Sequence, residues 1–257
     1  MSTFLFDETV FGPVKSRRLG NSLGINLLSN NSKVCNFNCI YCECGLTPDH
    51  TTTEINSKEN VFYWLRERLF DLKYDNIYID SITFAGNGEP TLHPDFDEII
   101  DYTIDLRNKL VPHVRVAVLS NASLIGNESI FRSLAKLDLN ILKLDSAFED
   151  TIRVLNCPPE NFHLNELVEN LQQFKGNLII QTLFLRGNFE GNTIDNTSEK
   201  EINGWLKLIK EINPKEVMIY SFSRSTPVKD LVRVEEEELN KIAERVHKIG
   251  INTLVTP

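Results

Sequence analysis

Short apolar runs of strand length alternate with amphipathic helical stretches along the whole chain, and this alternation restricts the fold more than any other feature. The strand-length runs are 23–28, 81–85, 114–119, 141–144, 178–183 and 217–220, with a short last one at 252–255. They lack clean polar alternation, which suits strands covered on both faces, as in a parallel sheet. Helical patterns fall between them at 58–72, 95–110, 127–137, 164–174, 199–212 and 235–249. In the first, Val61, Trp64, Leu65 and Leu69 share a face; in the second, Phe96, Ile99, Ile100 and Ile104 do. Pro94 suits a first helical turn and Gly250 a helix stop. Repeated β–α units predict an α/β fold with crossover helices. Six main units are too few for a closed eight-fold barrel, so the expectation is a partial (β/α)6 barrel with parallel strands. No Gly/Ser-rich linker divides residues 1–257, which predicts a single domain. The polar stretch 188–198 reads as a mobile surface loop.

The net charge of −9 argues against broad electrostatic binding of nucleic acid, which needs a basic face. It does not exclude a local basic groove. Glu235 to Glu238 read as a solvated helix start, where acidic residues are favourable. No basic region followed by an apolar run opens the chain, and no apolar stretch reaches the roughly 18 residues of a membrane span. The expected location is the cytoplasm.

Four of the five cysteines lie between positions 35 and 44. An odd count in a chain of this size fits a disulfide framework poorly and metal binding better. Cys35, Cys39 and Cys42 form C-x3-C-x2-C. Three thiolates on one short loop can each bind one iron of a cubane cluster, leaving the fourth iron open, whereas fully ligated clusters use four cysteines. Two alternatives stay open: a structural zinc site completed by Cys44, Cys157 or His50, and a four-cysteine electron-transfer cluster using Cys44. Either would make the chain a non-enzymatic metal-binding or electron-transfer protein. As isolated residues, Cys44 reads as a small semi-buried thiol and Cys157 as a loop thiol.

The C-x3-C-x-aromatic-C arrangement resembles the radical SAM superfamily. Phe11-Gly-Pro-Val-Lys-Ser-Arg-Arg-Leu-Gly20 and Ser22-Leu-Gly-Ile-Asn26, followed by the cysteine loop, are similar to its compact Fe–S oxidoreductase branch, related to the wybutosine-synthesis catalytic domain. Lys15 and Cys44 depart from that pattern without touching the cysteine triad. The resemblance runs from about residue 11 to about 227. It implies that Cys35, Cys39 and Cys42 ligate a [4Fe–4S] cluster. S-adenosylmethionine (SAM) would chelate the open iron and be cleaved to a 5′-deoxyadenosyl radical that abstracts hydrogen from a substrate. It also implies a reductant such as flavodoxin or ferredoxin. Tyr41 corresponds to the family aromatic near adenine. Gly86-Asn87-Gly88-Glu89-Pro90 resembles the family's GGEP-type turn, with Glu89 and backbone carbonyls toward the SAM ammonium.

Further candidates sit at strand ends, where parallel barrels carry function. Ser120 and Asn121 read equally as SAM contacts or as a turn. Lys143 and Asp145 read as a ribose or substrate contact or as a structural pair. Gln181, Thr182 and Arg186 end the fifth run, with a surface salt bridge the plainer reading of Arg186. Tyr220, Ser221 and Arg224 end the sixth. Ser16-Arg17-Arg18 suits phosphate or a negatively charged cluster–SAM assembly, and His93 reads as capping or packing. The substrate class stays open among RNA, with tRNA modification implied by the branch, a peptide or protein as in glycyl-radical activation, and a small molecule.

Overall fold

The computed structural model describes residues 4–48 and 54–256. The chain opens with a hairpin of β1 (Val10–Ser16) and β2 (Gly20–Ile25). Then follow α1 (Lys58–Tyr74), β3 (Ser81–Phe84), α2 (Phe96–Leu110), β4 (Arg115–Ser120), α3 (Glu128–Ala135), β5 (Leu139–Lys143), α4 (Glu149–Asn156), α5 (Leu164–Gln172) and β6 (Ile179–Leu183). The remainder is β7 (Leu185–Phe189), β8 (Asn192–Asp195), α6 (Glu199–Ile212), β9 (Glu216–Tyr220), β10 (Leu231–Arg233), α7 (Glu236–Lys248) and β11 (Asn252–Thr256).

Eight strands form one curled sheet in the order β1-β2-β3-β4-β5-β6-β9-β11. Every pairing from β2 to β11 is parallel, and β1 is an antiparallel edge. Six β–α units therefore run from β2 to α7, and β11 adds a seventh parallel strand, as the periodicity predicts for a partial barrel. Alternate residues of a strand face opposite sides. On β4, Val116 and Val118 join the main core beneath the helices. Ala117 points to the other face, where it packs with Ile141, Ile179, Met218 and Leu19. Those five fill the floor of the barrel, and the strand ends above them carry the polar groups.

The helices form on the expected faces with good caps. Val61, Leu65, Leu69 and Leu72 are buried on α1, each such burial contributing about 1.5–3 kcal/mol. Ser57 caps that helix by accepting from the Asn60 N–H at 3.2 Å. Trp64, expected on the buried face, is exposed and lies edge-on to Tyr63. Pro94 precedes the Asp95 cap of α2 and so lies just outside the helix. Gly250 follows α7 with φ +85°.

Three departures from the sequence reading have physical reasons. β1 contains Pro13 and no regular alternation, so its edge position rests on pairing with β2. α4 is eight residues long and apolar only at Ile152, Val154 and Leu155, too few positions for a distinctive helical period. The stretch 188–198 is not a mobile loop. It holds most of a β7–β8 hairpin, and β10 completes a second three-stranded sheet in the order β10-β7-β8. Arg186 fastens this hairpin by pairing with Asp195 at 3.4 Å and with Glu238 on α7. Its surface salt-bridge reading holds, and Glu238 is not merely solvated.

The loop after β2 is tied to the turn after β3 by main chain alone. The Val34 N–H donates to the Asn87 carbonyl at 2.8 Å, and the Glu89 N–H donates to the Val34 carbonyl at 3.1 Å. Gly88, between them, has φ +146°, and a Cβ there would stand 1.7 Å from the Val34 oxygen. Gly88→Ala is therefore expected to destabilise the protein by about 2–4 kcal/mol in denaturant unfolding, through backbone strain and a lost main-chain contact. Gly191→Ala is the control: its φ is +79° but nothing lies within 4 Å of the added methyl, so the loss is about 1–2 kcal/mol. Equal losses in the two variants would show that the close approach contributes nothing.

Candidate functional site

The cysteine loop is held from two sides. Beyond Val34, the last turn of α4 presents unpaired carbonyls to it. The Asn38 N–H donates to the carbonyls of Asn156 and Cys157 at 3.0 and 3.2 Å, and the Ile40 N–H to that of Leu155 at 3.0 Å. Helix C-termini need such donors, so α4 and the loop satisfy each other. Within the loop, the Cys42 N–H donates to the Cys39 carbonyl at 3.0 Å. Buried Lys33 crosses it to donate to the Gly45 carbonyl at 2.9 Å.

Cys35, Cys39 and Cys42 line one cavity of about 140 Å³ at the mouth of the barrel, together with Cys44. Burial pushes the Cys35 thiol up to about 12, with Glu89 and Cys39 adding to the shift. Burial also raises Cys39, opposed by Lys143. Cys42 is lowered because the Cys44 thiol donates to it, and Cys44 is raised for the same reason. Metal coordination deprotonates such thiols.

The donor set, three thiols opening on one cavity, is of the all-sulfur kind that iron–sulfur clusters take. Ligands of one zinc, each about 2.3 Å from it, lie within roughly 4 Å of one another. Among the described residues, no three Cys, His, Asp or Glu side chains are gathered in a way that suits one metal ion. Thiolates on separate irons of a cubane stand further apart. Of the further ligands considered for zinc, Cys157 caps α4 in the left-handed conformation and its thiol donates to the Val154 carbonyl at 3.5 Å. His50 lies outside the described residues. Cys44 remains on the cavity wall, its thiol 3.4 Å from the Gly86 carbonyl.

Glu89 is 2% exposed, beside the cysteines. Its Oε1 accepts three hydrogen bonds, from Thr91 N and Oγ1 at 3.1 and 2.6 Å and from Ser120 Oγ at 2.8 Å. Oε2 accepts one, from the Asn121 N–H at 2.6 Å. One oxygen thus keeps capacity for a further donor. Burial raises the Glu89 carboxyl, and these four hydrogen bonds work against the rise. Asn121 also reaches Cys35 Sγ at 3.7 Å and Asn36 at 2.8 Å. The turn reading of Ser120 holds as well, since its Oγ accepts the Ala122 N–H at 3.0 Å, with Ala122 at φ +65°.

Tyr41 is buried, with its hydroxyl donated to Asp145. Lys143 Nζ donates to the Tyr41 oxygen at 2.7 Å and lies 3.4 Å from Asp145. Asn156 Nδ2 reaches the Tyr41 oxygen at 2.9 Å, Asp145 at 2.8 Å and Cys39 Sγ at 3.4 Å. Burial opposes the Lys143 ammonium, but Asp145, Tyr220 and Cys39 together more than offset it, so Lys143 titrates above the usual lysine range.

The predicted residues therefore divide. Tyr41, Gly86, Gly88, Glu89, Ser120, Asn121 and Gln181 line the cavity with the cysteines. Asp145 does not: both its oxygens are engaged, Oδ1 by the Leu183 N–H at 2.9 Å, which is the structural-pair reading. Asn87 does not either. Its buried amide binds the Phe6 main chain on both sides and the Ser29 carbonyl at 2.8 Å, anchoring the N-terminal segment. Gln181 accepts from Arg18 at 2.9 Å. Thr182 bonds the Leu144 carbonyl, and Ser221 the Phe184 carbonyl. His93 packs between Asn56 and the Asp95 N–H, as the packing reading expects. Lys33 and Asn156 were missed. A lone lysine before a cysteine loop carries no signal, and Asn156 ends the helix that periodicity did not reveal.

The sequence matches the Radical SAM superfamily over residues 30–190, more than half of the chain. A UPF0026 protein of Methanocaldococcus jannaschii is 33% identical over 238 residues, covering 90% of this chain and 69% of that protein. A Brachyspira hyodysenteriae protein described as GTPase Obg is 33% identical over 240 residues, 91% of this chain. The chain spans only 33% of that relative's length. A radical SAM methyltransferase from Sphaerobacter thermophilus shares the fold with a TM-score of 0.67 at 14% identity, over 91% of this chain and 65% of that one. Archaeal TYW1 does so with a TM-score of 0.52 at 14% identity, over 93% and 74%. The sequence match begins before Cys35 and extends past Gln181, enclosing the whole cysteine cavity, and the chain belongs to the radical SAM superfamily.

Proposed function

We propose that Cys35, Cys39 and Cys42 hold a [4Fe–4S] cluster by three of its irons, and that the chain uses it to cleave SAM and abstract hydrogen from a substrate. Enzymes of this superfamily use that cluster with SAM, and relatives in fold are known with AdoMet bound. When bound, the cluster supplies one electron to the sulfonium C–S bond, giving methionine and a 5′-deoxyadenosyl radical. The observation that carries the ligand assignment is the common cavity of these three thiols, with Glu89 on its wall and Cys157 outside it.

The roles of the other residues follow from their free valences. Glu89 Oε2 receives the SAM ammonium. Ser120 and the Asn121 main chain hold that carboxylate in place, and Gly86 and Gly88 let the backbone come close. Tyr41 gives the adenine side its wall. Asp145, Lys143 and Asn156 act through Tyr41 and Cys39 as positioning residues. Cys44 is a wall residue and not a ligand. Electrons come from a flavodoxin or ferredoxin in the cytoplasm, and residues 1–257 act as one domain. No helix of the described residues is long and apolar enough to cross a membrane. A tRNA substrate is what the branch resemblance suggests.

Anaerobic reconstitution with iron and sulfide, reduction by dithionite and addition of SAM is expected to give 5′-deoxyadenosine from the parent and none from Cys39→Ala. A chain with one intact [4Fe–4S] cluster and bound SAM that forms no product would refute the proposed chemistry. Zinc without iron would refute the ligand assignment.

Glu89→Gln places an NH2 where Oε2 accepts. Charge-assisted hydrogen bonds contribute about 1.5–3 kcal/mol, so SAM should bind about 10- to 150-fold more weakly in equilibrium dialysis. Iron content should match the parent's. Unchanged SAM affinity would remove Glu89 from the site.

A further inference from the structure

A second cavity, of about 490 Å³, shares Cys44, Gly86 and Leu119 with the cysteine cavity. Its size is that of a small-molecule site. It is built from the N-terminal segment, the β1–β2 turn and the loop after β9, elements that supply little of the cysteine cavity.

Its two ends differ. One is a wall of three phenylalanines. Phe6 and Phe11 stack with centroids 3.6 Å apart, and Phe4 meets Phe6 edge-on at 4.9 Å. Gly24 makes room for this wall, since a Cβ there would stand 2.1 Å from the Phe11 ring. The other end is cationic. Among the described residues, Lys15, Arg17, Arg18 and Arg224 line the cavity with one carboxylate, Glu43, in a chain whose net charge is −9. Glu43 pairs with Arg224 at 3.0 Å. Arg18 is held by neutral groups, donating to Gln181 at 2.9 Å and stacking over the Tyr220 ring at 4.6 Å. Those contacts orient its guanidinium without neutralising it. Burial lowers Arg17 from its usual range, and Arg18, Arg233 and Arg224 add repulsion that Glu43 only partly offsets. Like charges so gathered carry a standing cost that a bound anion relieves.

We propose that this chamber binds the enzyme's second substrate as a small organic anion, its carboxylate or phosphate held by Arg17 and Arg18 and its apolar body laid on Phe6 and Phe11. The assignment as substrate rests on the SAM-cleaving reading. The common wall with the cysteine cavity puts the ligand beside the site of radical formation.

The test is equilibrium dialysis of the anaerobically reconstituted protein with two probes of the same aromatic body, 8-anilinonaphthalene-1-sulfonate and uncharged N-phenyl-1-naphthylamine. The sulfonate should bind one per chain and at least tenfold more tightly than the neutral probe. The double variant Arg17→Gln/Arg18→Gln should lose tenfold or more for the sulfonate and nothing for the neutral probe. Arg17→Lys/Arg18→Lys should keep most of the affinity, and Arg245→Gln, at a distant surface ion pair, all of it. Displacement by phenyl phosphate but not phenylacetate identifies a phosphate ligand, and the reverse a carboxylate. Equal affinity for both probes, or a sulfonate affinity unchanged in the glutamine variant, would overturn the proposal. Dialysis reads binding and not turnover. A protein that binds the anion yet forms no 5′-deoxyadenosine would therefore count against the SAM reading alone.

Discussion

The candidate site depends first on a main-chain contact, the seating of Val34 between Asn87 and Glu89. It fixes the start of the cysteine loop to the end of β3 before any side chain is considered. The same turn supplies Glu89, so the position of the carboxylate and the position of Cys35 are set by one contact. The contact is possible only because Gly88 has no side chain. Asn87 adds a second tie, from the turn to Phe6 and Ser29, which also brings the phenylalanine wall of the second cavity into register with the loop.

A second constraint comes from the far side of the loop. Asp145 is fully buried beneath Tyr41, and its partner Lys143 is only partly exposed. A buried pair of this kind is weak evidence for stability, because desolvation offsets much of the attraction, and it is better suited to fixing one arrangement. Here it holds the Tyr41 hydroxyl and, through Asn156, comes within 3.4 Å of Cys39. Since Asn156 ends α4 and the carbonyls of that last turn receive the loop N–H groups, a shift of α4 would disturb both main chain and sulfur.

The sequence alone revealed all seven parallel strands and six of the seven helices, because the buried strands stand out as short continuous apolar runs and the amphipathic helices between them repeat near 3.6 residues. It did not reveal β1, β7, β8, β10 or α4. Those elements are short, half-exposed or interrupted by Pro13 and Gly187, and tertiary pairing rather than periodicity forms them. The cysteine spacing and the Gly86–Glu89 turn single out residues that the fold gathers around one cavity. Asn87 entered the expected set through the turn motif and Asp145 through its place at a strand end. Each is one or two residues from a cavity-lining group, yet each points away from the cavity, into hydrogen bonds that pattern cannot show. Lys33 and Asn156 reach the loop from positions without any motif.

The charge distribution bears on which ligands suit the second cavity. A net charge of −9 repels a polyanion at long range, although at physiological ionic strength this is screened within about 8 Å. The arginines of the β1–β2 turn and of the loop after β9 concentrate positive potential at one cavity mouth, and low-dielectric walls such as Phe6 and Phe11 focus it. A small anion that enters the cavity is exposed to that local field. A nucleic acid laid across the outside must also meet a surface whose net charge is negative. On the proposed reading, the separation of local basicity from overall acidity favours ligands small enough to leave the surface behind. The shared wall at Cys44 and Gly86 would then bring their bodies against the radical-forming site.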